Sequence, residues 1–500
     1  MKNFIIILLA LLISSAVYPQ EGNMNESKPI LLPVKNDPTI SIKIWFKVGA
    51  QNDPKGKEGL AYLTAAMLSE GSTKNNSYET ILEKLYPLAA GYSANTSMEM
   101  TIFTGRVHKD NLEEYLPLFL DGLMAPAFKE EDFQRLKDEA LNYLTTTLKY
   151  SSDEELGKAV LYNNIFDGTP YGHLVEGTIT GIQSISIDDI KDFYNTHFTR
   201  ENYVIALGGG FDQDLVDRLN KELQKLSSGT PTIVRKADPA DLRGMEVVIV
   251  DKDAPATAIS IGFPINILRG SKEWYALAVA NSWLGEHRNS SSHLYQVIRE
   301  ARGLNYGDYS YIEHFPNGGA YQMPPVNVPR RQQIFEIWVR PVPNETKHFS
   351  LRAAIRELQK FVDKGMSEDD FKLTKDFLKK YVLHFAPNTQ TRLGYAIDDR
   401  FYGISEGHLT KFRKILDELT LQDVNEAIKK HLQYKSMLIA VVTDNAEEFR
   451  KNLISNAESL IEYSTPKSEA VYLEDKDIIK YNLPVTEDNV RIVSVEELFK

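Results

Sequence analysis

The chain carries an internal repeat, and a duplicated sequence is expected to fold as two copies of one structural unit. The pattern Glu-Glu-Asp-Phe at 130–133, with the lysine, aspartate and tyrosine that follow it, recurs 238 positions later as Glu-Asp-Asp-Phe at 368–371. A second segment, 186–207, recurs at an offset of 234 as 420–441. Two separate segments that keep nearly one offset and the same order predict two homologous tandem domains of roughly 230 residues.

Within each copy the local patterns predict both strands and helices. Residues 40–48 and, in the second copy, 259–263 alternate apolar side chains with polar or small ones, which is typical of a strand with one buried face. Ser186 and Thr420 each precede an acidic helix start, as N-cap residues do. The spans with apolar residues at helical spacing are 112–123 and 131–148. The sequence therefore predicts an α+β fold in which each domain has an antiparallel-rich sheet packed with helices.

The N-terminus is typical of a secretory signal peptide. Lys2 is followed by the apolar run Phe4–Ile13 and by small residues at 14–16. The run is ten residues long, about half of the ~20 that a spanning helix needs. No cysteine follows it, which excludes a lipoprotein anchor. We expect a secreted, periplasmic protein. The predicted divisions are a signal peptide at 1–20, an N-terminal domain at 28–235, a C-terminal domain at 243–460 and an extension at 461–500.

Composition excludes several classes of protein. The 57 basic and 69 acidic side chains leave a net charge of −12, which argues against a protein that grips a phosphate backbone. The chain has no cysteine, which excludes disulfides, thiolate zinc sites, iron–sulfur clusters and cysteine nucleophiles. No Gly-x-Ser-x-Gly elbow of a serine hydrolase is present either.

Residues 59–72 read Gly-Leu-Ala-Tyr-Leu-Thr-Ala-Ala-Met-Leu-Ser-Glu-Gly-Ser. This stretch resembles the zinc-motif helix of the pitrilysin/insulinase family of metallopeptidases, the inverted zincins, which usually reads G-L-A-H-F-L-E-H-M-L-F-K-G-T. In H-x-x-E-H, two histidines four apart hold one metal ion and the glutamate acts on the metal-bound water. Here Tyr62, Ala65 and Ala66 replace all three. The resemblance therefore implies a degenerate zinc motif without catalytic residues, and we expect no metal bound there.

The family's third zinc ligand lies on a downstream helix, near where this chain has Glu139. A single carboxylate cannot hold a catalytic zinc ion. The simpler interpretation of Glu139 is a solvated helix carboxylate.

The second copy carries another signature of the family. Residues 291–307 resemble its C-terminal-domain segment R-E-x-x-G-L-x-Y, and both members of the Arg/Tyr pair are present as Arg299 and Tyr306. In the family this pair reaches the zinc centre and contacts the substrate near the scissile bond. The alternative is an arginine on a helix surface with a tyrosine packed at the start of the next strand. Arg302 ranks second to Arg299, because its spacing to Tyr306 does not match the family.

Four histidines that could suggest a site have simpler interpretations. His197 and His431 occupy equivalent positions in the two copies, which indicates a shared structural role before a strand. His287 and His293 are six residues apart, so they would lie on different faces of a helix.

Two glycine-containing segments could also suggest a functional role. Gly208–Gly210 follows a predicted strand without completing a phosphate-loop motif, so we predict a tight turn. The Gly- and Pro-rich segment 315–331 is either a gate to a peptide chamber or an ordinary hairpin connection, and the second is the simpler interpretation.

The resemblance covers about residues 30–460 and implies a two-subunit peptidase. In that branch of the family one polypeptide carries the zinc motif and its partner the Arg/Tyr pair. We expect this chain to be the non-zinc subunit of a heterodimer, with zinc in the partner, a peptide as substrate and no cofactor of its own. The alternative is an inert structural or peptide-binding subunit. An autonomous enzyme with a relocated site would need a metal site or nucleophile that the sequence does not show.

Overall fold

The computed structural model describes residues 28–316 and 318–500. The predicted signal peptide at 1–20 and Asn317 lie outside the described residues. The strands are β1 Ile30–Pro33, β2 Thr39–Phe46, β3 Gly91–Thr96, β4 Thr101–His108, β5 Tyr203–Gly209, β6 Met245–Asp251, β7 Thr257–Ile265, β8 Asp308–Tyr311, β9 Gln333–Val342, β10 Met437–Thr443 and β11 Val490–Ser494.

The helices of the first half are α1 Leu60–Glu70, α2 Tyr78–Leu85, α3 Leu112–Met124, α4 Glu130–Asn142, α5 Leu148–Tyr150, α6 Asp153–Ile165, α7 Ile179–Ser184, α8 Ile187–His197 and α9 Gln213–Leu223. Those of the second half are α10 Lys272–Gly285, α11 Lys347–Lys364, α12 Glu368–Tyr381, α13 Thr389–Tyr402, α14 His408–Glu418, α15 Leu421–His431, α16 Ala446–Ile454 and α17 Glu469–Ile479.

Each half contributes one mixed sheet. The first has the strand order β1-β5-β2-β4-β3, antiparallel except where β1 pairs with β5. The second has the order β11-β6-β10-β7-β9-β8, with parallel pairing only on both sides of β6. The predicted α+β class with two tandem, antiparallel-rich domains is confirmed.

The predicted helix starts form by the same local chemistry in both halves. Ser186 and Thr420 each build a capping box, in which the hydroxyl accepts from the third backbone N–H of the helix. The carboxylates of Asp189 and Asp423 accept from the cap residues in return. This reciprocal bonding satisfies two backbone donors that would otherwise be unpaired at a helix end.

The two halves exchange a helix. Helix α6 of the first half packs on the outer face of the second sheet, where Leu156 and Val160 join Val248 and Ala440 in one apolar cluster. Helix α13 of the second half packs in the same way on the outer face of the first sheet. Each sheet is therefore covered on its second face by the other half, which buries apolar surface in the contact between the halves.

One buried ion pair lies in that contact. Lys158 of α6 places its Nζ 4.0 Å from the Glu336 carboxylate and donates a 2.6 Å hydrogen bond to the Phe315 carbonyl. Neither carboxylate oxygen of Glu336 accepts a hydrogen bond from a described residue. Burial, only partly offset by Lys158, raises the pKa of Glu336 to about 7.

We expect Glu336→Gln to stabilise the protein at pH 8 but hardly at pH 5. When the pKa of a carboxyl is higher in the folded state than in the unfolded state, the protein becomes less stable as the pH rises from the lower pKa to the higher one. For Glu336 this range runs from about 4.5 to about 7. The expected gain at pH 8 is about 1–2 kcal/mol. Thermal unfolding at both pH values measures it, with Glu83→Gln on the exposed face of α2 as the control. Equal shifts at the two pH values would contradict the assignment.

The segment 461–500 folds onto the second half. Strand β11 pairs in parallel with β6 at the edge of the second sheet, so the extension completes that sheet. Helix α17 packs against α11, and its Ile478 is fully buried in the core of the second half.

Candidate functional site

The helix that corresponds to the zinc motif is well formed. The Asp53 carboxylate accepts hydrogen bonds from the backbone N–H groups of Gly59, at 2.7 Å, and Ala61, at 2.8 Å, which fixes the start of α1. Gly59 has a φ of +106°, and a Cβ there would lie 2.6 Å from the Glu176 carbonyl oxygen. Only glycine fits such a position without strain. The frame of the motif is kept although its ligands are replaced.

The motif positions on α1 offer no metal chemistry. Ala65 and Ala66 are buried and have no side-chain donor atom. Tyr62 is half-buried, and burial raises the pKa of its phenol to about 12, with Glu176, Glu70 and Glu139 contributing in the same direction. Tyrosine is not among the usual zinc ligands, and the raised pKa makes its phenol harder to deprotonate for metal binding.

Glu139 lies on α4, which packs against α1. Its carboxylate is exposed and forms a 3.1 Å ion pair with Arg135, one turn earlier on the same helix. Across 28–316 and 318–500, no cluster of three or more histidine, cysteine, aspartate or glutamate side chains could hold a metal ion. The residues at this site do not fit a zinc ion.

The Arg/Tyr pair lies at the edge of the second sheet. Arg299 is on a π-helical turn, Tyr295–Glu300, where it pairs with Glu300 and lies 5.0 Å from the centroid of the Tyr295 ring. Tyr306 follows in the loop before the edge strand β8, and its side chain is 79% exposed. The alternative interpretation has Tyr306 packed at the start of the next strand, whereas its side chain is exposed.

Arg302 lies in a different environment from Arg299. Its side chain is only 1% exposed and its guanidinium is bonded to Asp475 and Glu474 of α17. These contacts leave it no surface toward a substrate.

The histidines have separate partners. His287 is bonded through Nδ1 to the Tyr311 hydroxyl and through Nε2 to the Tyr321 carbonyl, and its pKa is lowered to about 4 by burial. His293 is bonded to Glu357 at 2.7 Å and stacks on Trp283. The two side chains therefore do not converge on one site.

His197 and His431 end the equivalent helices α8 and α15. Their ring nitrogens are bonded to Thr232 at 3.1 Å and to Glu273 at 2.6 Å.

The glycine run 208–210 ends β5. Gly209 has a φ of +105°, and a Cβ on it would lie 2.1 Å from the Thr39 carbonyl oxygen. The run therefore lets two neighbouring strands meet closely.

The Gly- and Pro-rich segment connects the antiparallel neighbours β8 and β9 and is thus part of a long hairpin. Lys158 holds it at Phe315, and Lys43 of the first sheet donates a 2.5 Å hydrogen bond to Asn327. Asn327 also donates to Asp398 of α13. The segment is therefore fixed between the two halves, and it covers a cavity of about 100 Å³ that lies beside α10.

In the part of the chain that the structure describes, the helices are all too short or too polar to cross a membrane.

The comparisons with known proteins agree with this geometry. Residues 30–178 match the family described as insulinase (peptidase family M16), and residues 184–378 match the peptidase M16 inactive domain. The non-peptidase homolog YmxG of Helicobacter pylori is 25% identical over 464 residues, which is 90% of this chain and all of that protein. The probable mitochondrial-processing peptidase subunit beta of Arabidopsis thaliana is 25% identical over 228 residues, 45% of this chain and 42% of that one.

Among solved structures, a peptidase M16 inactive domain from Pseudomonas fluorescens superposes with a TM-score of 0.72 at 21% identity, covering 83% of this chain and 95% of that one. It has the same fold. The two family matches together cover most of the chain, in the order that the internal repeat predicts. The chain therefore belongs to the pitrilysin/insulinase family of peptidases, peptidase family M16, with Tyr62, Ala65 and Ala66 at its zinc-motif positions.

Proposed function

We propose that this chain is the non-zinc subunit of a heterodimeric M16 metallopeptidase and supplies Arg299 and Tyr306 to a zinc site in its partner. The observation that carries the proposal is the exposure of Tyr306, which is 79% accessible at a sheet edge, seven residues after Arg299. An exposed phenol can reach a second polypeptide with its hydroxyl, which a packed tyrosine could not do.

The chemistry of the pair fits the proposed role. The guanidinium of Arg299 and the phenol of Tyr306 both donate hydrogen bonds. During peptide hydrolysis the carbonyl oxygen becomes negative, and donors placed beside it stabilise the transition state. This chain would hold the carbonyl, while the zinc and the attacking water belong to the partner.

The first half supports the assignment of zinc to another polypeptide. Tyr62 is a protonated phenol, and Ala65 and Ala66 have no ligand atoms. One relative is by name a subunit of a processing peptidase, which is consistent with function in a pair. The signal-peptide pattern at 1–20 supports a periplasmic location for the proposed complex.

A second candidate is an inert structural or peptide-binding subunit. The relative named a non-peptidase homolog, which this chain matches over nearly its whole length, favours it. The two candidates differ in whether Arg299 and Tyr306 affect turnover.

Association with a zinc subunit tests the proposal. The probe is a family member with an intact H-x-x-E-H motif from the same organism, and the measurement is sedimentation of each protein alone and of the mixture. We expect a 1:1 complex in the mixture. Independent sedimentation of the two proteins at micromolar concentration would contradict the proposed heterodimer.

A further inference from the structure

The turn between Arg299 and Tyr306 is anchored to the rest of the domain by a buried side chain. At its ends Arg299 is partly exposed and Tyr306 is largely exposed, but Arg302, within the turn, is almost fully buried. Arg302 donates from Nε to Asp475 at 2.9 Å, from Nη2 to Glu474 at 3.0 Å and from Nη1 to the Val297 carbonyl at 2.8 Å. All three directions of its guanidinium are therefore occupied.

Both carboxylates come from α17, in the segment after residue 460. The Asp475 side chain is 4% exposed, and its second oxygen accepts a 2.8 Å hydrogen bond from the Tyr463 hydroxyl. Glu474 also accepts from Arg356 at 2.9 Å and Lys360 at 3.1 Å, both on α11. Burial opposes ionisation of Glu474, but the hydrogen bonds from Arg356, Arg302 and Lys360 lower its pKa to about 2. The contact with Arg302 is therefore a charged pair at any physiological pH.

Helix α17 is itself held rigidly. Arg352 of α11 is fully buried and donates to the Ile479 carbonyl at 2.5 Å and to Ser459 at 3.0 Å. These bonds fix both ends of the segment that carries Glu474 and Asp475. The carboxylates therefore have a defined position relative to the second sheet.

A second anchor lies at Asn305, the residue directly before Tyr306. The Asn305 amide donates to Asp308 at 2.8 Å and to the Arg340 carbonyl at 3.0 Å, and its oxygen accepts from the Gly307 N–H at 3.1 Å. Asn305 and Asp308, which are bonded to each other, therefore bracket Tyr306 and fix its backbone to the body of the domain. A functional side chain gains precision when its neighbours are locked in this way.

We propose that the segment after residue 460 positions the Arg/Tyr pair, and that Asp475 acts through Arg302 to hold Arg299 and Tyr306 in the geometry that their partner site needs. The inference rests on the proposed function and names the positioning residues of that same site. A misplacement of about 1 Å at a reacting centre costs roughly 10²-fold in rate, so a rigid support has a direct effect on turnover.

The test compares Asp475→Asn with Asp477→Asn in the full mature chain, bound to its zinc subunit. Asp477 is on the same helix but is 73% exposed and lies 3.4 Å from Arg356. For Asp475→Asn we expect hydrogen exchange at the amides of 301–304 to become at least tenfold faster, while exchange in the first half is unchanged. We also expect kcat to fall about tenfold with KM within twofold. Asp477→Asn should change neither quantity.

Arg302→Lys is the second variant, because lysine keeps the positive charge but cannot reproduce the three hydrogen bonds that the planar guanidinium donates. It should reproduce the faster hydrogen exchange at the amides of 301–304 and the loss in kcat. Unchanged exchange at 301–304 in both variants would overturn the inference, even if Arg299→Ala shows that the proposed function holds. Faster exchange with normal turnover would overturn it as well. If Arg299→Ala were also without effect on turnover, the proposed function itself would fail.

Discussion

Replacing Arg299 by alanine should lower kcat for peptide hydrolysis by the heterodimer about 10²–10³-fold, the range found when one donor to a developing oxyanion is removed. Among the described residues, the guanidinium of Arg299 pairs with Glu300 and the Tyr295 ring, both within its own turn, so its loss should leave the fold and the complex intact. Tyr306→Phe removes a single hydroxyl from an exposed ring and should cost about 10-fold or more. Steady-state kinetics on the assembled complex measure both effects.

The matched control is Arg413→Ala, which removes an exposed arginine from α14 in the same half of the chain. It should leave kcat and KM unchanged. Normal turnover by Arg299→Ala in an intact complex would exclude the catalytic role and favour the inert subunit. A parallel loss of association and turnover would show that Arg299 acts at the interface instead.

Restoring the two zinc-motif histidines should create a metal site in this chain. Positions 62 and 66 lie one turn apart on α1, and Glu139 is near enough to influence the ionisation of Tyr62. With Tyr62→His and Ala66→His, two imidazoles and one carboxylate would face a common point, the usual protein ligand set of a catalytic zinc. We expect about one zinc ion per chain with a dissociation constant in the micromolar range or below.

Two further variants test whether zinc binding needs all three proposed ligands. Tyr62→His alone supplies only one new ligand and should retain no stoichiometric zinc after dialysis. Adding Glu139→Gln to the double variant should weaken zinc binding at least tenfold. Metal analysis of the purified proteins measures each step. A double variant without zinc would show that α1 and α4 no longer have the geometry of the zinc site.

The strand periodicities predicted β2 and β7, and the capping residues predicted the starts of α8 and α15, because alternation and capping are local properties of the sequence. The exchange of α6 and α13 between the halves could not be predicted in this way. Helix α6 is buried on nearly all sides, and a pattern of apolar residues does not indicate which sheet will cover them.

The candidate site shows the same difference between local signals and long-range contacts. Arg299 and Tyr306 could be identified because a short motif carries them, whereas the partner of Arg302 lies 173 positions away. In the segment after 460, 14 of 40 residues are charged, and no local pattern indicates β11, which is held mainly by parallel backbone pairing with β6. The role of Arg302 therefore required the three-dimensional structure.

The central claim is that this chain completes an active site that its partner cannot operate alone. Zinc-supplemented peptide hydrolysis should be measured for the purified mature chain, for the zinc subunit and for their mixture at equal concentrations. Turnover in the mixture at least tenfold above the sum of the separate proteins, with none from this chain alone, is the predicted result. Hydrolysis by this chain alone, or a mixture no faster than the zinc subunit, would contradict the claim.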